Sequence, residues 1–462
     1  MDLLSLTYMR PSYVTNKDLR RSQQSILSEK GSVRSGRSAR SSGIPDGLAF
    51  DNIIAGVTCS PLTLRDFLNF LLYKEHSAEN LQFYLWYQDY VKRFSQAPYA
   101  DLALAPEWTK EKEDEVAAVL LKEAHRGMRK APAVAKTMFS GTDFEKKPIT
   151  EPQISLDKAA GGDPFATPPQ TPRGERKEEE YELSPMLSPV SCAPTMATYR
   201  SQADDAFAAA GAQAPFTIQP FRQELNRIVS TYIAADAPRQ LNLSAHDRNL
   251  VLHALSYTTH PSAFRPALAS AESTLRVQSH PNFVRWSTCN GCPPRIAFAR
   301  TLGWLGIGLA FAVATVLSLS GAARGWRAVA ATCWVPGIHA VVASHRGMCI
   351  CMYTFSRHKY HVRPWELFAD DVEGAEGRPG GKEGKESFDS FGSGNSFEME
   401  PWVQKYGERN VWRKIFDKEA RIDEPVLLAI HDTIFVQAGI VGLLAGAVLT
   451  AVFVAVPPGG YF

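Results

Sequence analysis

An excess of charge of one sign is the first thing that the sequence lacks. Its 462 residues include 50 Lys and Arg and 48 Asp and Glu, which gives a net charge of +2. Proteins that bind nucleic acid over a broad surface are strongly basic, so this balance excludes that class. We therefore expect no nucleic-acid partner.

Cysteine is also scarce, since the seven residues of this type are scattered along the chain. Small secreted domains stapled by disulfides need a dense and even set, so a reducing compartment fits better. The pair Cys289 and Cys292 has no second pair nearby, whereas a structural zinc needs four ligands, so we expect no metal site. Cysteines beside apolar stretches are candidates for acylation, with unmodified thiols as the alternative: Cys289, Cys292, Cys349 and Cys351.

Motifs of several enzyme classes are missing as well. There is no phosphate-binding P-loop, no Gly-x-Gly-x-x-Gly after a strand pattern, no His-Glu-x-x-His and no Gly-x-Ser-x-Gly. We expect the protein not to be an enzyme and to need no cofactor.

The first 45 residues have little apolar surface to bury and carry eight basic against three acidic residues. Because they cannot offset the entropy cost of ordering, residues 1–45 are predicted to be a disordered basic tail. This tail is either simply solvated or an electrostatic tether to anionic lipid. No apolar stretch opens the chain, so no cleaved signal peptide is expected.

Two separated stretches, residues 61–94 and 216–287, have the pattern of packed helices, and Ser77 and Ser244 are predicted N-caps within them. No alternating strand pattern occurs, so the predicted fold class is all-α. Together the stretches define a domain over residues 46–290. The apolar positions of the first helix recur at helical spacing: Leu64, Phe67, Leu68, Leu71 and Leu72.

A long insertion, residues 95–215, separates the two stretches. It loses all periodicity over about 141–215, which predicts disorder there. Its four Ser/Thr-Pro pairs are candidates for proline-directed phosphorylation, which would add about −1.5 to −2 charge each. A plain Pro-rich linker is the alternative. The candidate sites are Thr167, Thr171, Ser184 and Ser188.

Long charge-free runs occur in the last third of the chain. Residues 301–323 lie between Arg300 and Arg324 without a charge. A helix of about 20 apolar residues crosses a bilayer core of about 30 Å, so this run is predicted to be a transmembrane helix. Further spans are predicted over residues 328–344 and 433–456. We therefore expect an integral, multi-pass protein of the plasma membrane or an endomembrane.

Lys and Arg concentrate after the second span and before the third. Because such an excess marks the cytosolic side, the N-terminus and the loop 345–424 are predicted to be cytosolic and the C-terminus non-cytosolic. Within this loop, residues 369–400 are predicted to be disordered. Residues 401–422 are either an amphipathic helix on the inner leaflet or a small helix packed on the protein itself.

A Gly-x-x-x-Gly spacing occurs in the third span, at Gly442 and Gly446. Glycines at this spacing let two helices approach closely, so a homo-oligomer formed through this face is one option. The motif is frequent by chance, and a single instance carries little weight.

Three blocks of the sequence resemble one known family. Residues 77–84 (SAENLQFY) open an aromatic helix, residues 237–243 read APRQLNL, and residues 279–283 read SHPNF. These blocks resemble, in order, the signatures of RGS domains, the regulators of G protein signalling. The resemblance implies an RGS-like helical bundle split by the long insertion. A domain of this kind followed by three membrane spans resembles fungal bud-site-selection and polarity membrane proteins.

The resemblance also implies partner-binding residues. RGS domains bind the α subunit of a heterotrimeric G protein and hold its switch loops near the transition-state shape, without adding a catalytic side chain. Glu79 and Asn80 match the family's first contact pair, and Asn242 matches the asparagine that rests against the switch region. The family usually has Asp where this chain has Ser244. It usually has a bracing Asp and Arg where this chain has Gln278 and Asn282.

Three functions follow as alternatives. The first is a membrane-anchored RGS-fold scaffold in cell polarity, or in bud-site or septum marking, whose partners are polarity membrane proteins and the lipid bilayer. The second is a GTPase-accelerating regulator of a G protein α subunit. The third, a channel or transporter, is disfavoured because the first and third predicted spans lack charged residues.

Overall fold

The structure is a computed structural model. It describes residues 11–15, 44–122, 195–289, 293–355, 359–367, 401–457, 459 and 461. Most of the basic tail and all of 369–400 lie outside the described residues. So do Thr167, Thr171, Ser184, Ser188 and Cys292.

The chain divides into two compact units. Residues 109–199 form the smaller one, which falls within the expected insertion, and the rest of the chain forms the larger one. In the smaller unit, residues 110–122 are helical. All contacts discussed below belong to the larger unit.

The head, which we define as described residues 44–108 and 200–289, is built from short helices. Its helices are α1 Phe50–Ile54, α2 Leu64–Phe70, α3 Ala78–Ser95, α4 Tyr99–Ala103, α5 Met196–Ala209 (in the head from residue 200), α6 Arg222–Ile228, α7 Ala245–Tyr257, α8 Arg265–Ser273 and α9 His280–Thr288. Three of them continue as π-helical turns over Leu71–Glu75, Val229–Ile233 and Thr274–Ser279. Two 3-10 turns occupy Asp46–Leu48 and Pro261–Phe264.

Side-chain caps fix where two of these helices begin. At α2, the backbone N–H of Asp66 donates to the Thr63 hydroxyl at 3.1 Å, and the Asp66 carboxylate accepts from the Thr63 N–H at 2.9 Å. At α7, the Asp247 N–H donates to the Ser244 hydroxyl at 3.0 Å, which confirms Ser244 as an N-cap. Ser77 occupies the predicted N-cap position of α3, but its side chain makes no cap hydrogen bond.

The two separated stretches share one buried interior. The ring of Phe283 from α9 lies 5.0 Å from that of Phe67 and 5.4 Å from that of Phe70 on α2. Further along, Phe83 of α3 lies 5.9 Å from Phe264. Aromatic rings in such edge and tilted contacts add to the free energy gained from burial. The first and last parts of the head therefore fold as one body.

Residues 196–209 form helix α5, although the sequence predicts disorder over about 141–215. The reason is a minimal apolar stripe one helical turn apart: Ala203 and Phe207 are both buried. Such a stripe is too short to stand out in a window of mostly small and polar residues.

Three helices are long and apolar enough to cross a membrane. They cover Pro293–Leu319, which is α10, then Arg324–His345, which is a 3-10 turn followed by α11 Ala331–His345, and finally α16 Pro425–Ala455. The first and third helices begin before the charge-free runs that predict them. Their opening turns are more polar, and they contact the loop through Arg295 and the head through His431.

Small residues let these three helices pack closely. A Cβ atom on Gly303 of α10 would lie 2.9 Å from the Gly337 carbonyl oxygen of α11. A Cβ atom on Gly442 of α16 would lie 2.9 Å from the Val335 carbonyl oxygen, and Gly446 is similarly close to the Val335 side chain. The Gly442 and Gly446 face, one option for a homo-oligomer contact, is therefore occupied by α11 of the same chain.

One arginine ties the far ends of the three helices together. The Arg327 side chain is fully buried, and its guanidinium donates to the carbonyl oxygens of Phe453, Val456 and Ser318. Carbonyl groups at a helix C-terminus lack intrahelical partners and carry partial negative charge, so a cation satisfies them well.

The loop between the second and third of these helices packs on the head. Its elements are α12 Ile350–Phe355, β1 Lys359–His361, α13 Pro364–Leu367, α14 Pro401–Gly407, α15 Val411–Ile415 and β2 Glu419–Arg421. The strands pair antiparallel, with Tyr360 opposite Ala420. Three-residue strands are too short to show alternation, so the all-α prediction misses them. Residues 401–422 are not one amphipathic helix, and Trp402 packs edge-on against Tyr73 at 5.2 Å.

Candidate functional site

The first predicted contact pair lies in the opening turn of α3. Asn80 is only 5% exposed, and its side-chain amide donates to the Ser77 carbonyl and to the Glu79 carboxylate, both at 3.3 Å. Glu79 is half-buried beside it. Asn80 therefore organises the start of the helix, and Glu79 presents the more accessible polar group of the pair.

Asn242 lies in the loop that connects α6 and its π turn to α7, and its side chain is exposed. The loop is held on both sides by buried leucines, because Leu241 and Leu243 are only 2% and 8% exposed. The Leu241 N–H also donates to the Tyr232 carbonyl at 2.9 Å. Asn242 is therefore presented to solvent from a backbone that is anchored, and Ser244 serves as the cap of the next helix.

Gln278 and Asn282, which stand where the family has its brace, are directed at a different residue. The Asn282 amide donates to the Glu75 carboxylate at 2.9 Å, and the Gln278 amide reaches the same oxygen at 3.5 Å. Glu75 ends the π turn that precedes α3. Both side chains thus secure the turn before Glu79 and Asn80.

Asn282 also holds the N-terminal segment, residues 11–15, against the head. Its side-chain Oδ1 accepts from the Val14 N–H at 3.0 Å, and its side-chain Nδ2 donates to the Val14 carbonyl at 3.0 Å. Arg285, on the same helix α9, donates to the Pro11 carbonyl at 2.6 Å. The paired bonds to Val14 are those that a neighbouring β-strand would make, so the segment is bound through its backbone.

A buried ion pair joins the loop to the head. The Arg363 guanidinium donates to the Asp66 carboxylate at 2.5 Å and to the Pro61 carbonyl at 2.7 Å. The side chains of Arg363 and Asp66 are 3% and 10% exposed. Arg363 also lies over the Trp286 ring at 4.6 Å. Since a buried charge is stable only when paired and hydrogen-bonded, this pair fixes the loop to α2.

Three further polar contacts lie at the flanks of the candidate spans, two to the head and one to the loop. The Glu424 carboxylate accepts from the Cys59 N–H at 2.8 Å, and His431 donates to the Thr288 carbonyl at 3.0 Å. Arg295 forms an ion pair with Glu419 at 2.9 Å. A single hydrophobic cluster underlies these contacts and includes residues from head, loop and third candidate span: Phe67, Phe283, Tyr360, Ile422, Leu427, Ile430 and Ile434.

His280 ties the opening turn of the head to α9. It is 5% exposed, and its ring N–H donates to the Leu48 carbonyl at 2.7 Å. Burial lowers the pKa of His280 to about 4 from its ordinary value of 6.5. A neutral ring is therefore part of the folded head at physiological pH.

This shift makes the stability of the head depend on pH. Between pH 6.5 and pH 4, the unfolded chain binds a proton at His280 that the folded chain does not. We expect the free energy of unfolding to fall as the pH drops through this window, by at most about 3 kcal/mol from this group. His280→Gln, a neutral donor, should flatten the slope in unfolding titrations. An unchanged slope in the variant would contradict this role for His280.

The predicted acylation sites differ in access. Cys289 is half-buried and Cys349 is buried within the protein, so Cys349 is not accessible to modification in this conformation. Cys351 lies in α12. No group of three or more His, Cys, Asp and Glu side chains that could hold a metal ion occurs among the described residues.

Sequence reasoning missed the residues that attach the loop to the head. Asp66 and Arg363 are 297 residues apart in the chain, so no local spacing connects them. The available signal was a basic residue inside an aromatic stretch, Arg363 beside Trp365, because charges among buried side chains are usually paired. In comparisons with protein-family models, curated proteins and solved structures, nothing matches this chain.

Proposed function

We propose that this protein is a membrane-anchored docking scaffold whose head has an RGS-like fold, acting in cell polarity or in marking a bud site or septum. The observation that carries the proposal is the shared hydrophobic cluster, which runs from Phe67 and Phe283 in the head to Ile430 in the third apolar helix. A head that shares its hydrophobic interior with the third apolar helix is held in one orientation at the bilayer. Such a head suits docking of partners at a fixed cortical position.

Two features favour a scaffold over a GTPase accelerator. Acceleration by positioning requires a rigid contact surface with its groups aligned beforehand. In this chain the polar side chains Gln278 and Asn282 are directed at Glu75 and at the N-terminal segment. The two positions at which the family has its bracing Asp and Arg hold neutral amides here, so they cannot form the charge-assisted hydrogen bonds of that brace.

The accelerator remains the second candidate because Asn242 is exposed on an anchored loop. Single-turnover GTP hydrolysis by the source organism's G protein α subunit, with and without the full chain in nanodiscs, separates the two. The scaffold proposal expects an unchanged hydrolysis rate while the α subunit, or a polarity membrane protein, still binds. Acceleration that Asn242→Ala abolishes would overturn it in favour of the accelerator. Ser244→Ala, which removes only the helix cap, is the matched control.

We further propose a topology of three spans with the N-terminus in the cytosol. The support is the Lys and Arg content of the flanks around residues 345–424 and the three helices that are long and apolar enough to cross a membrane. A glycosylation reporter fused after Phe462 should therefore be modified, and one inserted within residues 369–400 should not. Modification of the loop reporter, or its absence at the C-terminus, would contradict this topology.

A further inference from the structure

A cavity of about 530 Å³ opens where the head meets the first two membrane-spanning helices. It is lined by residues from five parts of the chain: the N-terminal segment, α2 with its π turn, α9 and its C-terminal end, α10 and α11. Its apolar wall includes Trp286 and Ile296, and its rim includes Tyr13. None of the predicted partner-binding residues lies in it.

Among the charged side chains that line this cavity, basic groups outnumber acidic ones. Lys74, Arg285 and Arg300 come from three different elements, and His345 stands at the end of α11. The one carboxylate in the lining is that of Glu75, and only its Oε1 accepts the hydrogen bonds from Gln278 and Asn282. Guanidinium and ammonium groups that converge on a small volume are the usual recognition elements for phosphate.

The cavity lies at the depth where the apolar part of the bundle ends. Arg300 is the last charged residue before the charge-free run 301–323, and His345 closes the returning helix α11 beside it. In a bilayer this depth corresponds to the headgroup region, where basic pockets between transmembrane helices hold anionic lipids.

We propose that this cavity binds the phosphate-bearing headgroup of an anionic phospholipid from the leaflet that faces the head. The ligand is a lipid and not a soluble phosphate, because the cavity joins the end of the apolar helices. The proposal depends on the membrane insertion proposed above, since the lipid must reach the cavity from the bilayer. A lipid bound in this cavity would contact the head directly, so the packing of the head on the helices would depend on the lipid composition of the membrane.

Native mass spectrometry of the full chain, extracted from vesicles of phosphatidylcholine and phosphatidylserine in equal amounts, tests the proposal. We expect preferential retention of phosphatidylserine, reduced roughly tenfold or more by Arg300→Glu and preserved by Arg300→Lys. Arg324→Glu is the matched control, because Arg324 is exposed like Arg300 but lies beyond the other end of α10. Both arginines are exposed, so these variants are expected to fold.

The other outcomes overturn the proposal in distinguishable ways. Equal retention in wild type and Arg300→Glu, or an equal loss in Arg324→Glu, would mean that no specific headgroup site exists. Displacement of the lipid by millimolar inorganic phosphate would mean that the cavity binds a soluble anion. Release of the wild-type chain from membranes by alkaline carbonate would instead refute the membrane insertion, and the lipid site with it.

Discussion

Replacing Arg363 with methionine is expected to lower the free energy of unfolding of the head by about 3–5 kcal/mol. The substitution leaves the Asp66 carboxylate, whose side chain is only 10% exposed, without its cation. It also leaves the Pro61 carbonyl without the donor that Arg363 supplies. Denaturant unfolding of the full chain in detergent, followed by tryptophan fluorescence, measures the loss, because Trp286 lies under the guanidinium.

The control for this prediction is Arg421→Met. Arg421 forms an ion pair with Asp423 at 3.9 Å, but its side chain is 84% exposed, so its removal should change stability by less than about 0.5 kcal/mol. The double variant Asp66→Asn/Arg363→Met should lose less than the sum of its single variants, because no charge is then left buried. Equal losses in Arg363→Met and Arg421→Met would contradict a buried pair.

Replacing Phe283 with alanine is expected to cost about 3–5 kcal/mol, the range for an aromatic residue in a closed core. Its side chain is fully buried and contacts both Phe67 and Phe70. Because these rings join stretches separated by the long insertion, both stretches should unfold together at the lower denaturant concentration. Amide exchange in residues 64–75 and 280–288 measures the two sides separately.

Val277→Ala provides the comparison for Phe283. Val277 is 37% exposed in the same region, so its truncation removes little buried surface and should cost well under about 1 kcal/mol. If Phe283→Ala destabilised only residues 280–288 and left residues 64–75 protected, the two stretches would not share an interior. The assignment of a single head would then fail.

Local periodicity explains why much of the fold was predictable. The apolar spacing from Leu64 to Leu72 shows which face of that helix is buried. The length of the charge-free run 301–323 shows that the segment is long enough to cross a bilayer. Ser244 was predictable as a cap for the same reason, since its partner is the N–H of Asp247, three residues away.

Contacts between distant segments explain what was missed. Residues 401–422 look amphipathic, but the structure packs Trp402 against Tyr73 of the head. Asn282 was also missed, because its hydrogen-bond partner Val14 lies 268 residues away in the sequence. At the candidate site, sequence placed Glu79, Asn80 and Asn242 by resemblance. Only the structure distinguishes the buried Asn80 from the exposed Asn242.

Hydrogen–deuterium exchange on the full chain in nanodiscs tests the central claim most directly. The claim is that the head and the start of the third apolar helix form one folded body. Residues 64–75 of the head, the pairing strand Glu419–Arg421 and residues 422–431 belong to the same packed region. We predict that all three exchange with the same opening free energy, and that Arg363→Met lowers it equally in each. Fast exchange of residues 419–431 beside a protected head would contradict the account, because the head would then be a separate domain on a tether.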